Sequence, residues 1–370
     1  MSMQKTANIR QFLTRRSAAM GIPVSGTFEL TPRCNLQCKM CYVRLTPAQM
    51  APYGHELTAG QWLELAQEAK DAGMTFLLIT GGEPTLRGDF CEIYEGLAQM
   101  GFSISINTNG TLVTPELRQL WHRLPPAQVN ITLYGVCQRD YEALCGNPAA
   151  FDAVVDTLEW LISEGILIHL NATVTPTNFA LWQEFEDFAK ELGLELRMTT
   201  YCFPPLRRES CGVCPEFSRL PPRDAAELSL QDLLYREGPA AIRARAADID
   251  TAPVDGCSLE VGEPMQCMAG RSQFWITWNG GMMPCGMLHQ PVVYPRKDGF
   301  LNAWTALKEK SGSIRLCPDC AKCEDRHTCL NCAAVTYSET GRFDGKPEYM
   351  CQYNKAYREI LLKMAADTEL

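Results

Sequence analysis

Nowhere in this sequence do apolar residues run on for the roughly 18 positions needed to span a bilayer, so it holds no evident membrane-crossing helix. The first twenty residues carry Lys5, Arg10, Arg15 and Arg16 with no apolar stretch behind them, which excludes a secretory signal and leads us to expect a cytoplasmic protein. A surplus of positive charge is missing too. The formal net charge of −9 gives nucleic acid no footing as the main partner. Internal repeats and low-complexity stretches are also absent. What is abundant is cysteine, 18 in 370 residues. In a chain that is not exported, that number argues against a disulfide framework and for metal ligation. The length fits one large domain plus a smaller one.

Between residues 24 and 202, short apolar runs alternate with amphipathic helical windows. Strands are expected at 27–30, 75–80, 102–107, 129–133, 167–174 and 194–200. Between them apolar residues recur at helical spacing: Trp62, Leu65, Ala66 and Ala69, opened by Thr58 and Gln61 as a capping box, and later Phe151, Val154, Val155, Leu158 and Leu161. Six strand–helix alternations predict an α/β fold of parallel βα units, closing toward a partial (β/α)6 barrel. Chemistry in such folds sits at the C-terminal ends of the strands. From residue 203 to 256 prolines and an Ala- and Arg-rich helical stretch replace this pattern. We read 1–23 as an N-terminal extension, 24–202 as the barrel, 203–256 as a linker with helices, and 257–370 as a smaller cysteine-rich domain.

The first expected strand is followed by Thr31-Pro-Arg-Cys-Asn-Leu-Gln-Cys-Lys-Met-Cys-Tyr42, which places Cys34, Cys38 and Cys41 as C-x3-C-x2-C. Thiolates this close on one loop can converge on an iron–sulfur cluster. The bare spacing also admits a zinc site or unrelated thiols, although zinc loops usually bring C-x2-C pairs with a second pair at a distance. The second strand ends in Thr80-Gly-Gly-Glu-Pro-Thr85, where two glycines allow close approach to the backbone. The third ends in Asn107-Thr-Asn-Gly110 and the fourth in Thr132-Leu-Tyr-Gly135. Taken in order, these motifs resemble those of the radical S-adenosylmethionine (SAM) enzymes. That resemblance implies a [4Fe-4S] cluster on Cys34, Cys38 and Cys41 whose open iron holds SAM. It further implies SAM contacts from Gly81, Gly82 and Glu83, from Asn109, and from Thr132 to the ribose. Many relatives have Ser and Asp where this chain has Thr132 and Tyr134.

Nine cysteines fall in the last third: Cys257, Cys267, Cys285, Cys317, Cys320, Cys323, Cys329, Cys332 and Cys351. Asn279-Gly280-Gly281 reads as a hairpin turn that returns Cys285 toward Cys267. Cys267-x12-Gly280-x4-Cys285, then Cys320-x2-Cys323-x5-Cys329-x2-Cys332, then Cys351 resembles the SPASM domain of peptide-modifying radical SAM enzymes, with one residue fewer before Cys332. By that resemblance up to two auxiliary [4Fe-4S] clusters would use Cys257, Cys267, Cys285 and Cys332, and Cys320, Cys323, Cys329 and Cys351. Cys317 is surplus and could replace a neighbour. A zinc ribbon pairing Cys317/Cys320 with Cys329/Cys332 competes, but strands Cys267, Cys285 and Cys351. Six further cysteines lie outside both patterns: Cys91 reads as a core residue, and the lone pair Cys211/Cys214 in the linker could be a surface pair or a further metal site. His327 reads as a loop residue.

The resemblance implies reductive cleavage of SAM to a 5′-deoxyadenosyl radical that abstracts a substrate hydrogen, in order to modify a ribosomally made peptide or protein by thioether or C–C crosslinking, epimerisation or oxidation. Sulfatase-type maturation fits less well, because Gly286 rather than an acidic residue follows Cys285. Expected partners are the peptide or protein substrate, a separate leader-binding protein (only 33 residues precede Cys34) and an electron donor such as flavodoxin or ferredoxin. Arg207 and Arg208, after the sixth strand, are either solvated or clamp a peptide carboxylate. Two alternatives stay open: a maturase of a small-molecule cofactor, and a non-catalytic iron or zinc protein. The Gly81-Gly82-Glu83 motif argues against the second.

Overall fold

The computed structural model describes residues 9–204, 219–249, 265, 267–325 and 328–367. Cys211, Cys214, Arg207, Arg208, Cys257 and His327 lie outside the described residues. Six parallel strands form as expected: β1 (Ser25–Glu29), β2 (Phe76–Thr80), β3 (Ser103–Thr108), β4 (Gln128–Leu133), β5 (Ile168–Thr173) and β6 (Leu196–Thr199). They are joined in turn through the helices Ala59–Asp71, Phe90–Gln99, Pro115–Arg123, Ala150–Ser163 and Trp182–Glu191. The first of these starts at the expected capping box. Thr58 Oγ1 accepts from the Gln61 amide at 3.3 Å, and Gln61 Oε1 accepts from the Thr58 amide at 3.0 Å.

The strands differ from ordinary parallel strands in one respect. Parallel strands covered on both faces read as near-continuous apolar runs. From β3 to β6 they alternate instead: β3 is Ser-Ile-Ser-Ile-Asn-Thr, and β4 is Gln-Val-Asn-Ile-Thr-Leu. Ile104, Ile106, Val129, Ile131, Leu170 and Ala172 are buried in one continuous core. The register aligns the opposite set, Asn107 with Asn130, Asn130 with His169, Thr132 with Asn171 and Asn171 with Arg197, so the other face is a polar lumen. A filled (β/α)8 barrel packs branched apolar side chains in this place.

The sheet is open, with order β6-β5-β4-β3-β2-β1-β7-β8. Its last two strands come from the cysteine-rich third. β7 (Gln273–Ile276) lies parallel to β1, and β8 (Met282–Met283) pairs antiparallel with β7. The turn between them contains Asn279-Gly280-Gly281, with Gly280 at φ 87°, a backbone setting that glycine takes without strain. Phe274 packs edge-on against Phe300 and Trp304, at centroid distances of 5.3 and 6.1 Å, and all three belong to the core under β1 and β2. The helices Pro222–Glu237, Pro239–Ala247 and Glu348–Ala366 make a second core, and a small third core surrounds Cys267, Cys285 and Cys332. Among the described residues no helix is long and apolar enough to cross a membrane.

Candidate active site

The loop after β1 carries the three cysteines across the C-terminal mouth of the sheet. Two backbone bonds fasten it to the end of the helix Gln138–Cys145, from the Gln37 amide to the Cys145 carbonyl (3.0 Å) and from the Lys39 amide to the Leu144 carbonyl (3.3 Å). Leu36 is fully buried beneath it. Cys34, Cys38 and Cys41 line one cavity of about 340 Å³ together with Gly81, Gly82, Asn109 and Thr132. Four of the five residues expected to hold SAM therefore meet the three expected cluster ligands around one space.

The donors aimed at the sulfurs fit thiolates better than thiols. The Leu36 amide approaches Cys34 Sγ at 3.4 Å, the Arg44 amide approaches Cys41 Sγ at 3.3 Å, and Asn109 Nδ2 lies 3.7 Å from Cys34 Sγ. N–H groups of this kind surround cluster sulfurs and set their potential. Burial pushes the Cys34 thiol up to about 12, so only a metal's positive charge would keep it ionised at neutral pH. Among the described residues no three or more His, Cys, Asp or Glu side chains are grouped to hold a metal ion. A four-iron cluster spreads its thiolates over separate irons, and needs no convergence on one point.

Glu83 has a different position from the other expected contacts. It is fully buried, and it does not line the cavity. Its carboxylate accepts from the Thr85 amide (3.1 Å), Thr85 Oγ1 (2.6 Å), Thr108 Oγ1 (2.8 Å) and the Asn109 amide (2.7 Å). It thus pins the loop after β2 to the loop after β3. The two glycines also answer to the protein itself. A Cβ on Gly81 would stand 2.6 Å from the Thr31 carbonyl oxygen, and one on Gly82 would stand 2.4 Å from that of Arg33. The loop after β2 is bound to the cysteine loop in this narrow gap, by Gly82 N to Thr31 O (2.7 Å) and Glu83 N to Arg33 O (2.8 Å). Below it Glu56 takes both Arg33 Nε and Nη2 at 2.8 Å, and buried Arg87 donates to the Leu30 and Leu57 carbonyls at 2.9 Å.

Sequence reasoning missed several residues of the cavity wall. Tyr134 lies against Cys38 and meets Tyr141 edge-on at 5.7 Å. Tyr201, Cys202 and Phe203 follow β6, and Met287 arrives from beyond Cys285. Tyr201 donates to Glu339 Oε1 at 2.6 Å, and Arg219 holds the same carboxylate while stacking over Tyr349 at 3.8 Å. A Tyr-Cys-Phe run at a strand end was a signal, but nothing local says that a residue 138 positions later completes it.

The described auxiliary cysteines form two groups that meet at Cys320, which packs against the third core and also lines the second cavity. Cys267, Cys285 and Cys332 share the third core, and burial pushes the Cys285 thiol up to about 12, with Cys332 and Cys267 close enough to raise it further. Cys332 is the N-cap residue of the helix Ala333–Thr340, and burial raises its thiol pKa while the Val335 and Ala334 amides offset part of that rise. Cys320, Cys323, Cys329 and Cys351 line a separate cavity of about 390 Å³. Cys317 is buried, and its carbonyl accepts from the Cys320 amide at 3.0 Å. Cys329 and Cys332 thus face different groups, which separates the two cysteines a zinc ribbon would use as one knuckle.

Residues 28–192 match the family model described as the radical SAM superfamily. Over 343 residues the chain is 26% identical to an AdoMet-dependent heme synthase of Methanosarcina barkeri, spanning 88% of this chain and 95% of that protein. Over 354 residues it is 25% identical to the mycofactocin maturase MftC of Mycobacterium tuberculosis, spanning 94% and 87%. Streptococcus suis SuiB bound to its precursor peptide SuiA superposes with a TM-score of 0.66 at 18% identity, over 95% of this chain and 83% of that one. Native anSMEcpe with bound AdoMet and Cp18Cys peptide gives 0.67 at 18%, over 93% and 99%. At such identities the solved structures establish a common fold alone. With the family model, relatives spanning most of the chain and the open parallel sheet in agreement, residues 28–192 form a radical SAM domain, and the protein is an enzyme.

Proposed function

We propose that this enzyme modifies a ribosomally made peptide or protein, with SAM and a [4Fe-4S] cluster held in the cavity at the mouth of the sheet. The observation that carries the reading is the shared wall: Cys34, Cys38 and Cys41 face the same space as Gly81, Gly82, Asn109 and Thr132. When bound, the cluster and SAM supply a carbon radical that removes a hydrogen atom from substrate. The chain does the rest. The three cysteines leave one iron free for SAM. The backbone at Gly81 and Gly82 would receive the SAM ammonium and Thr132 the ribose, while Asn109 Nδ2 lies 3.7 Å from Cys34 Sγ and helps to hold it. Glu83 positions two of these loops without touching SAM. Tyr134, Phe203 and Met287 shield the cavity from water.

Cys257, Cys267, Cys285 and Cys332 would hold one auxiliary cluster, and Cys320, Cys323, Cys329 and Cys351 the other. The cavity shared by Cys320, Cys323, Cys329 and Cys351 supports the second set, and the core shared by Cys267, Cys285 and Cys332 supports the first, with Cys320 packed against both. The partners we propose are a leader-binding protein and a small electron donor such as flavodoxin or ferredoxin, in the cytoplasm. Peptide modification is favoured by MftC and by the SuiB–SuiA complex, both matched over more than nine-tenths of this chain. A second reading, maturation of a small-molecule cofactor, has the heme synthase relative in its support.

Protein reconstituted and reduced by dithionite without oxygen should cleave SAM to 5′-deoxyadenosine slowly without substrate, and Cys38→Ala should abolish it. Undiminished 5′-deoxyadenosine from the variant, read by chromatography, would refute the assignment.

A further inference from the structure

The polar lumen has more in it than a lining. A cavity of about 620 Å³ runs along β3 to β6, and it borders the cysteine-lined cavity at Asn107 and Thr132, which line both. One wall is occupied with itself. Gln128 Nε2 lies 3.2 Å from His169 Nδ1 and bonds Asn130 Oδ1, and Asn130 Nδ2 donates to Asn107 Oδ1 at 2.7 Å. The opposite wall is not. Among the described residues, neither Asn171 nor Arg197 has a side-chain hydrogen bond or ion pair to any of them, and Arg197 is the one Lys or Arg in the lining. Glu195, two positions earlier, also lines the cavity and makes no ion pair with it.

We propose that the substrate carries a carboxylate, which Arg197 binds in this lumen beside Asn171, while the reacting end of the substrate lies against Thr132. Guanidinium is suited to this because its planar fork meets both carboxylate oxygens at once. Register fixes the spacing. Thr132, Asn171 and Arg197 are paired across three neighbouring strands, which sets the outer two backbones about 10 Å apart. A carboxylate on Arg197 thus falls within about three residues of extended chain from the carbon attacked. Arg197, on β6 itself, takes the carboxylate-clamping part that was one of two readings for Arg207 and Arg208. The inference rests on the proposed function for the reacting end, and on the lumen alone for the carboxylate.

The test uses the full-length reconstituted enzyme with SAM, and reads binding by ligand-observed NMR at fixed ionic strength. The probes are N-acetyl-Ala-Ala with a free C-terminal carboxylate, the same peptide as its C-terminal amide, and succinate. The acid should bind on the order of ten-fold more tightly than the amide, R197Q should erase that preference, and R197K should keep part of it. Binding of the acid but not succinate assigns a peptide terminus, whereas equal binding of succinate assigns a small carboxylic acid. Equal binding of acid and amide by the parent enzyme, or a preference that survives in R197Q, overturns the proposal. Iron content checks that each variant folds, and the acid–amide comparison on the parent enzyme decides even if R197Q does not. Absence of SAM cleavage by the parent enzyme would instead sink the proposed function, leaving the carboxylate result to stand by itself.

Discussion

Glu83 shows what a motif residue can be for. Its four donors belong to Thr85, Thr108 and Asn109, so its first duty is to hold two loops at one distance from Cys34. A second buried carboxyl lies away from the site. Glu186 faces Asp232, Arg236 and Lys190, and burial followed by the bond to Asp232 raises its pKa from 4.5 to about 7. The folded protein then holds a proton that the unfolded chain has released. Between pH 4.5 and about 7 this group's contribution to stability falls as pH rises, and it is level above that window. Glu186→Gln should flatten the slope and raise Tm at pH 8 by removing a buried charge. Melting curves of both proteins from pH 5 to pH 8 measure it, and parallel curves would contradict the pairing.

Among the elements, the strand-to-helix loops matter most, because they are fitted to one another before any cofactor arrives. Gly82 sits against backbone, since an added Cβ would lie 2.4 Å from one backbone oxygen and 2.8 Å from the next, and backbone cannot yield as a side-chain tip does. Gly82→Ala should displace the cysteine loop and cut SAM cleavage on the order of 100-fold, the usual effect of an ångström-scale misplacement. Iron loss should be confined to about one cluster, since the auxiliary cysteines lie in other cores. Wild-type turnover in this variant, measured as 5′-deoxyadenosine per minute, would mean that the gap is looser than its geometry.

The whole molecule is joined more tightly than an enzyme domain with an appendage. β7 extends the barrel sheet past β1, and Phe300 and Trp304 fill its core. Tyr201 at the cavity meets Glu339, seven residues beyond Cys332. With the eleven cysteines proposed above as cluster ligands, anaerobically purified protein should be brown and carry close to three four-iron clusters. Replacing Cys34, Cys38 and Cys41 together with alanine should remove about four irons and leave the remainder. Stoichiometric zinc without visible absorption would end the cluster reading for all three sites.

Period and spacing determined the six strands, the capping box at Thr58 and the cysteine loop, because each is a local property: alternation, helical repeat, and thiols a few residues apart. The Gly280 turn was legible for the same reason. The open polar lumen was also written in the Ser-Ile-Ser-Ile-Asn and Gln-Val-Asn-Ile-Thr alternations, but its meaning needed the register that lines up Thr132, Asn171 and Arg197. Other features depended on contacts between distant segments. That Gly81 and Gly82 face backbone, that Glu83 turns from the cavity, that Cys329 and Cys332 part company, and that β7 joins β1 all follow from how loops and strands pack in three dimensions. A sequence fixes which groups can hydrogen-bond or ligate, whereas only close packing decides which of them have already been used by the protein itself.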